Sequence, residues 1–256
     1  MRGFVDSLVA QLLAVQINLY ACHARLQADT DTEALHDLRI AVRKLRSLLR
    51  PLRGLVEFAA LEQAARALGQ LSGPLRDQEV LLAQLQAQTQ RPQHARQQQL
   101  DAGYAQLLTS PELQALFAAL DASVAVCRQE QACGALQGAA KHTAKGLAKN
   151  RKRLQRALYE PGTDRHRLRL LIKRLRYGAQ AYPRCKLLSK PQLTALIAAQ
   201  SALGGWHDHL QWLACAQQQS DLQPLVSTWQ AGLAQAEQLS EQKLRKLQRL
   251  FHGSSR

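Results

Sequence analysis

Apolar residues recur along most of the chain at intervals of three and four, the spacing of one buried helix face. Phe4, Leu8, Leu12, Val15 and Leu19 form such a stripe in a helix predicted over 4–27. Leu35, Leu38, Val42, Leu45, Leu49 and Leu52 form a second, and this one has a polar companion: His36, Arg39, Arg43, Arg46, Arg50 and Arg53 follow it one residue later. At about 100° per residue, the six basic side chains sweep an arc of roughly 100° beside the apolar stripe. One side of the helix enters a core and the next carries a line of cations. Thr30 to Glu33 matches the S/T-x-x-E capping box and predicts the start of this helix, while Pro51 and Gly54 predict its end.

The same reading predicts helices over 56–71, from near Asp77, and over 112–131, 139–159, 164–182, 191–203, 208–219 and 222–251. Ser72, Gly73 and Pro74 read as a break between the third helix and the next. The glutamine-rich stretch Gln84 to Gln99, interrupted by Pro92, reads as an exposed helix end and a connection. Pro161, Gly162 and Thr163 make a turn and N-cap before the helix from Asp164, which would set the helices on either side antiparallel.

That later helix repeats the earlier one. A shift of 130 residues sets His36 on His166, Leu38 on Leu168, Arg39 on Arg169, Arg43 on Lys173, Leu45 on Leu175 and Arg46 on Arg176. A looser echo, LGGWHDHL, places Asp208 on Asp77 at a shift of 131. The chain therefore reads as two related halves, 1–135 and 136–256, with Gly134 and Gly138 at their boundary.

Composition agrees with an all-α fold. Of the 256 residues 46% are hydrophobic, dominated by Leu and Ala, and only 5% are aromatic, so helices are favoured and no sheet is expected. The net charge of +15 is concentrated in two places. Residues 35–53 carry six Lys/Arg against one acid and residues 141–176 carry thirteen against two, which leaves 15 basic against 16 acidic residues elsewhere. Such focusing points to an anionic partner. The five cysteines (Cys22, Cys127, Cys133, Cys185, Cys215) are odd in number, lack CxxC spacing and read as free thiols in a reducing compartment. Asp6, Gln11, Gln16 and Asn18 interrupt the first apolar helix, and Tyr20 is too bulky for a lipoprotein cleavage site. The chain reads as cytoplasmic, with no membrane partner.

The basic rows suit phosphate. Guanidinium groups present forks of donors to phosphate oxygens, repeated about every 5 Å along the axis. Between 139 and 159 a further row, Lys141, Lys145, Lys149, Lys152 and Arg156, stays within an arc of about 80°. Like charges at this spacing repel, and only Asp37 lies within the first row and Asp164 before the second. A polyanion would supply the missing counter-charge. His36 and His166 sit in the first turn of their helices, where the dipole also favours an anion. Tyr177 falls within about 20° of His166 around the helix and brings a hydroxyl to the same side, where its counterpart Ser47 is less suited.

LHDLRIAVRKLRSLLR and RHRLRLLIKRLRY resemble the two signature segments of the CHAD family, the conserved-histidine α-helical domain, and LSGPLRDQEVLL resembles the family segment after the first signature. The resemblance covers nearly the whole chain. It implies two four-helix bundles related by a pseudo-twofold, with basic helices lining a central cavity or groove that binds inorganic polyphosphate, in a stand-alone CHAD protein. The residues it implicates are His36, Arg39, Arg43 and Arg46 in the first signature and His166, Arg169, Lys173, Arg176 and Tyr177 in the second. The spacing alone adds Arg50, Lys145, Lys149, Lys152 and Arg156. Two departures stand out: Arg165 replaces the usual apolar residue before the second His, and His207 stands where the first half has Arg76.

The leading expectation is thus a polyphosphate-binding module, located in the cytoplasm and at polyphosphate granules. Single-stranded nucleic acid is the alternative partner, but only Tyr159 and Tyr177 in the basic segments could stack a base. A phosphohydrolase or phosphotransferase is the third class. His207, Asp208 and His209 invite a metal reading, yet i and i+2 point to different sides of a helix, and no Walker loop, GxSxG or HExxH occurs. No catalytic residue, metal or cofactor is expected.

Overall fold

Four helices close the first core as a ring. In the computed structural model, which describes residues 3–53, 55–88 and 93–252, the chain divides into two compact units, Met1–Thr143 and Ala144–Arg256, and the described residues contain no strand. Gly54 and Pro92, expected to end a helix and to interrupt a connection, lie outside the described residues.

In the first unit α1 (Phe4–Gln27) packs on α2 (Ala34–Leu49), α2 on α3 (Ala59–Gln88), α3 on α5 (Pro111–Ala132), and α5 back on α1. α4 (His94–Leu108) lies outside this ring against α3 and α1. The core is built from the expected stripes: Leu8, Leu12 and Leu19 of α1 and Leu35, Leu38, Leu45 and Leu49 of α2 are all buried. Each such leucine stabilises the fold by about 1.5–3 kcal/mol relative to an exposed side chain. α1 is also long and apolar enough to span a membrane by length and composition; in the fold its Leu8–Leu12–Val15–Leu19 stripe belongs to this core.

Three local expectations give way to tertiary contacts. The capping box before α2 does not form, because the Asp31 carboxylate accepts from the Glu33 N–H at 3.0 Å while the Arg25 guanidinium of α1 holds both Asp31 (2.6 Å) and Asp37 (2.8 Å). Pro51 does end α2, in a 3-10 turn over Arg50–Leu52.

The break expected at Ser72–Pro74 is absent: α3 runs unbroken with Pro74 inside it. A proline there removes one helical hydrogen bond, but the preceding turn gains others, from Arg39 Nη1 to the Gly69 carbonyl (3.3 Å) and to Ser72 Oγ (3.0 Å), and from Ser72 Oγ to the Leu68 carbonyl (2.7 Å). Likewise the two helices expected over 191–203 and 208–219 are one, α8 (Lys190–Gln218), which passes straight through Gly204 and Gly205. Each glycine costs about 1 kcal/mol in a helix interior, less than the burial of Leu203, Trp206 and Trp212 on either side returns.

In the second unit α6 (Ala139–Tyr159, whose first turn belongs to the first unit), α7 (Arg165–Ala181), α8 and α9 (Val226–His252) surround one core of Leu154, Leu158, Ile172, Leu175, Leu196, Leu203, Leu247 and Phe251. Side-chain bonds tie α6 to α9: Gln155 donates to the Phe251 carbonyl at 3.0 Å, Tyr159 to the Gln248 carbonyl at 2.7 Å, and Gln248 to the Leu158 carbonyl. The closest helix partner of α7 is α8. Ser189 and Gln192 form a reciprocal capping box at the start of α8. All five cysteines are free, and burial raises the Cys127 thiol to about 11.

Candidate functional site

Each basic row lies along one helix, with its companion leucines holding that helix against the core. On α2, Leu35, Leu38, Val42 and Leu45 are buried, while His36, Arg39, Arg43, Arg46 and Arg50 are half-buried and Arg53 is exposed. Arg39 and Arg46 reach across to the neighbouring helix. α3 accommodates them with small residues. A Cβ added at Gly69 would lie 3.4 Å from Arg46 Nη1, and one at Gly73 would lie 3.7 Å from Arg39 Nη1.

Arg39 is the most committed of the row. Its Nη1 is bonded to α3, its Nε is buried without a hydrogen-bond partner, and burial, followed by the neighbouring Arg43, lowers its pKa. Burial lowers Arg46 too, with Arg53 and Arg66 adding to the effect. Both guanidiniums remain charged at neutral pH, because the ordinary value lies far above it.

Beside this row is a polar anchor that the sequence reading left without a role. Glu79 of α3 is buried; it accepts from Arg76 at 2.5 Å and from the Tyr104 hydroxyl of α4, whose pKa is raised by burial and by that carboxylate. Arg76 is thereby held close enough to His36 that burial first, and the Arg76 charge second, push the imidazole pKa down.

On α7, Asp164 caps the helix by accepting from the Arg167 N–H at 3.2 Å. His166 is exposed, Arg169, Lys173 and Arg176 are half-buried, and Tyr177 is buried at 8% exposure. The Arg176 guanidinium lies 5.2 Å from the Tyr177 ring centroid, so the ring serves as a cation–π platform for its neighbour. Lys145, Lys149, Lys152 and Arg156 of α6 are exposed along the whole row, unlike the half-buried cations of α7.

The structure adds a residue to the second row. His207 of α8, at the position equivalent to Arg76, has its ring centroid 5.9 Å from that of His166. Burial, then Arg169, His166 and Lys173, lower its pKa to about 4. The repeat register could have found it, since a residue in the Arg76 position falls beside the signature histidine. His209 points elsewhere: its Nδ1–H donates to the Gly205 carbonyl at 2.8 Å, its ring lies 4.8 Å from that of Trp212, and it packs on Gly232 of α9. Among the described residues no group of three His, Cys, Asp or Glu could hold a metal ion.

Three ion pairs lie at or beside the ends of the rows. Arg53 pairs with Glu62, Arg165 with Glu237 of α9 at 3.5 Å, and Arg167 with Glu160 at 3.2 Å. Asp37, the acid within the first row, is turned to Arg25 of α1. Lys243, Arg245, Lys246 and Arg249 line an open concavity of about 720 Å³ along α9.

The model of the CHAD domain family matches residues 11–217, a span that includes both rows. The fold is similar to the crystal structure of the CHAD domain from the plant Ricinus communis, with a TM-score of 0.71 and 24% sequence identity over 98% of this chain and 92% of that one. A search of curated proteins finds no match. With the family match running through four-fifths of the sequence and both histidine-arginine helices, the chain belongs to the CHAD domain family.

Proposed function

We propose that the chain is a binding module for inorganic polyphosphate, without catalytic activity, whose contact surfaces are the basic rows of α2 and α7. Its setting is the cytoplasm, at polyphosphate granules. The observation that carries this reading is the repetition of the rows: matched cations at the same spacing on two helices, each half-buried beside a buried leucine stripe, with His166 exposed at the start of the second. Pre-organised charges of this kind bind a flexible polyanion at a lower ordering cost than free side chains. The exposed lysines of α6 extend the positive surface of the second unit.

Phosphate alone, without a base, suits what surrounds the rows. Tyr177 is buried beneath Arg176, and the Tyr159 hydroxyl is bonded to the Gln248 carbonyl with its ring 5.6 Å from that of His252. The buried Tyr177 ring does not offer a stacking platform.

The test is a titration with long-chain polyphosphate, and with single-stranded RNA of equal charge, at two salt concentrations. An Arg46→Glu/Arg176→Glu variant of verified helicity serves as the control. Preference for polyphosphate, lost in the variant and weakened by salt, supports the reading. RNA binding of equal or greater strength, or an unaffected variant, contradicts it.

A further inference from the structure

In α8 Gly204 matches Gly73 of α3, but Gly205–His207 depart from their counterparts Pro74–Arg76. A Cβ at Gly204 or Gly205 would meet no atom within 4 Å, so neither glycine is required by a neighbouring side chain. One turn along stands His207, half-buried and beside His166, where the first unit has the permanently charged Arg76. The carboxylate that secures Arg76, Glu79, is replaced at the equivalent position by Leu210. An arginine at 207 would lack that acid; a histidine there is able to shed its proton.

The charged groups acting on His207 are His166, Arg169 and Lys173, all of α7 and all basic. On its own helix Asp208 is the next residue, and His209 is bonded to the Gly205 carbonyl on the side facing α9. From α9, Glu237 is engaged with Arg165. Gly204 lies one turn before His207 on the same face of α8, so the open space beside it falls on the side of the paired imidazoles.

We propose that His166, His207, Arg169 and Lys173 form a proton-linked subsite for one phosphoryl group, at which anion binding draws a proton from solvent onto His207. The inference rests on the polyphosphate reading above and adds to it a pH dependence specific to the second unit. At the equivalent place in the first unit Arg76 carries a fixed charge, and His36 is the titrating group beside it.

The sign follows from the charges. In the free protein, burial, then the neighbouring Arg169, His166 and Lys173, keep His207 neutral down to a pH of about 4. A bound phosphate oxygen offsets those cations and favours imidazolium. If the bound value returns to the ordinary one of about 6.5, binding tightens roughly tenfold between pH 7.5 and pH 5.5 through this group alone. The internal phosphates of a long chain stay ionised throughout that range, so the change belongs to the protein.

Calorimetry at pH 5.5 in two buffers of different ionisation enthalpy, with long-chain polyphosphate as probe, counts the protons taken up. The protein should take up roughly one more proton per bound site than either His207→Arg or His207→Gln. The tightening between pH 7.5 and pH 5.5 should be about tenfold smaller in both variants. Should either variant fail a helicity check, the other carries the comparison. Equal proton uptake in the three proteins overturns the subsite while polyphosphate binding stands. Absence of binding in all three at both pH values overturns the polyphosphate reading, and the subsite with it.

Discussion

The α2–α3 pair and the α7–α8 pair use one sequence pattern and hold their cations in different ways. In the first, polar atoms of α3 fix the basic groups: Arg39 is bonded to the Gly69 carbonyl and Ser72, and Arg76 to the buried Glu79, which also holds Tyr104. In the second, the positions of Ser72 and Glu79 are taken by Leu203 and Leu210. The Glu79 carboxylate thus has no counterpart there, and the cation it held in the first unit has become His207. A buried position that loses its carboxylate partner is stable when its base is able to become neutral. The first unit thus keeps fixed charge by pairing it, and the second keeps charge that titrates.

The comparison is broken most severely at Glu79. Replacing it by the leucine of the second unit, Glu79→Leu, leaves Arg76 and the Tyr104 hydroxyl without their acceptor and should cost about 3 kcal/mol, read as a lower urea midpoint. Adding Arg76→His completes the exchange and should recover about half of that loss. If the double variant is no more stable than Glu79→Leu alone, the explanation of His207 by its missing carboxylate is wrong.

Gly232 tests the second unit by a different contact. A Cβ in Gly232→Ala would collide with the His209 ring, which is held between the Gly205 carbonyl and Trp212, and overpacking of this kind costs about 1–2 kcal/mol. A thermal midpoint equal to that of the parent would show that His209 moves freely. Ser72→Ala is expected to cost about 1 kcal/mol by removing the acceptor of Arg39, and a neutral result would mean that the Gly69 carbonyl alone suffices.

A separate effect is the pH dependence of stability in the absence of ligand. The folded-state pKa of His207, about 4, lies below the ordinary value, so the unfolded chain binds more protons between the two. The stability this group contributes is present above about pH 6.5 and is lost as the pH falls towards 4. His36, shifted in the same direction, adds to the acid loss. In His207→Gln the thermal midpoint should fall less steeply over that interval than in the parent; parallel profiles would remove His207 from the acid response.

The features legible in the sequence were those carried by periodicity. The leucine stripes, the two basic rows and the limits of α1 and α6 follow from spacing alone, because one helix face decides each of them. The features that were not legible depend on residues distant in sequence. Pro74 and the Gly204–Gly205 pair are local breakers, and only the packing of α2 on α3 and the buried residues flanking the glycines keep α3 and α8 continuous. The capping box at Thr30 was displaced by an arginine from another helix. Tyr177 was read as bringing its hydroxyl to the side of His166, whereas the packed structure buries its ring beneath Arg176 while His166 is exposed. The second row was incomplete without His207, whose partner His166 lies on a different helix.

The central claim, that both rows contact the polyanion, is tested most directly by the salt dependence of polyphosphate affinity in two single variants, Arg46→Glu and Arg176→Glu. If both rows engage phosphate, each variant binds more weakly at low salt and shows a shallower slope of log affinity against log salt than the parent, since fewer counterions are released. A slope and affinity unchanged in either variant would contradict the claim for that row, and unchanged values in both would place the binding surface elsewhere.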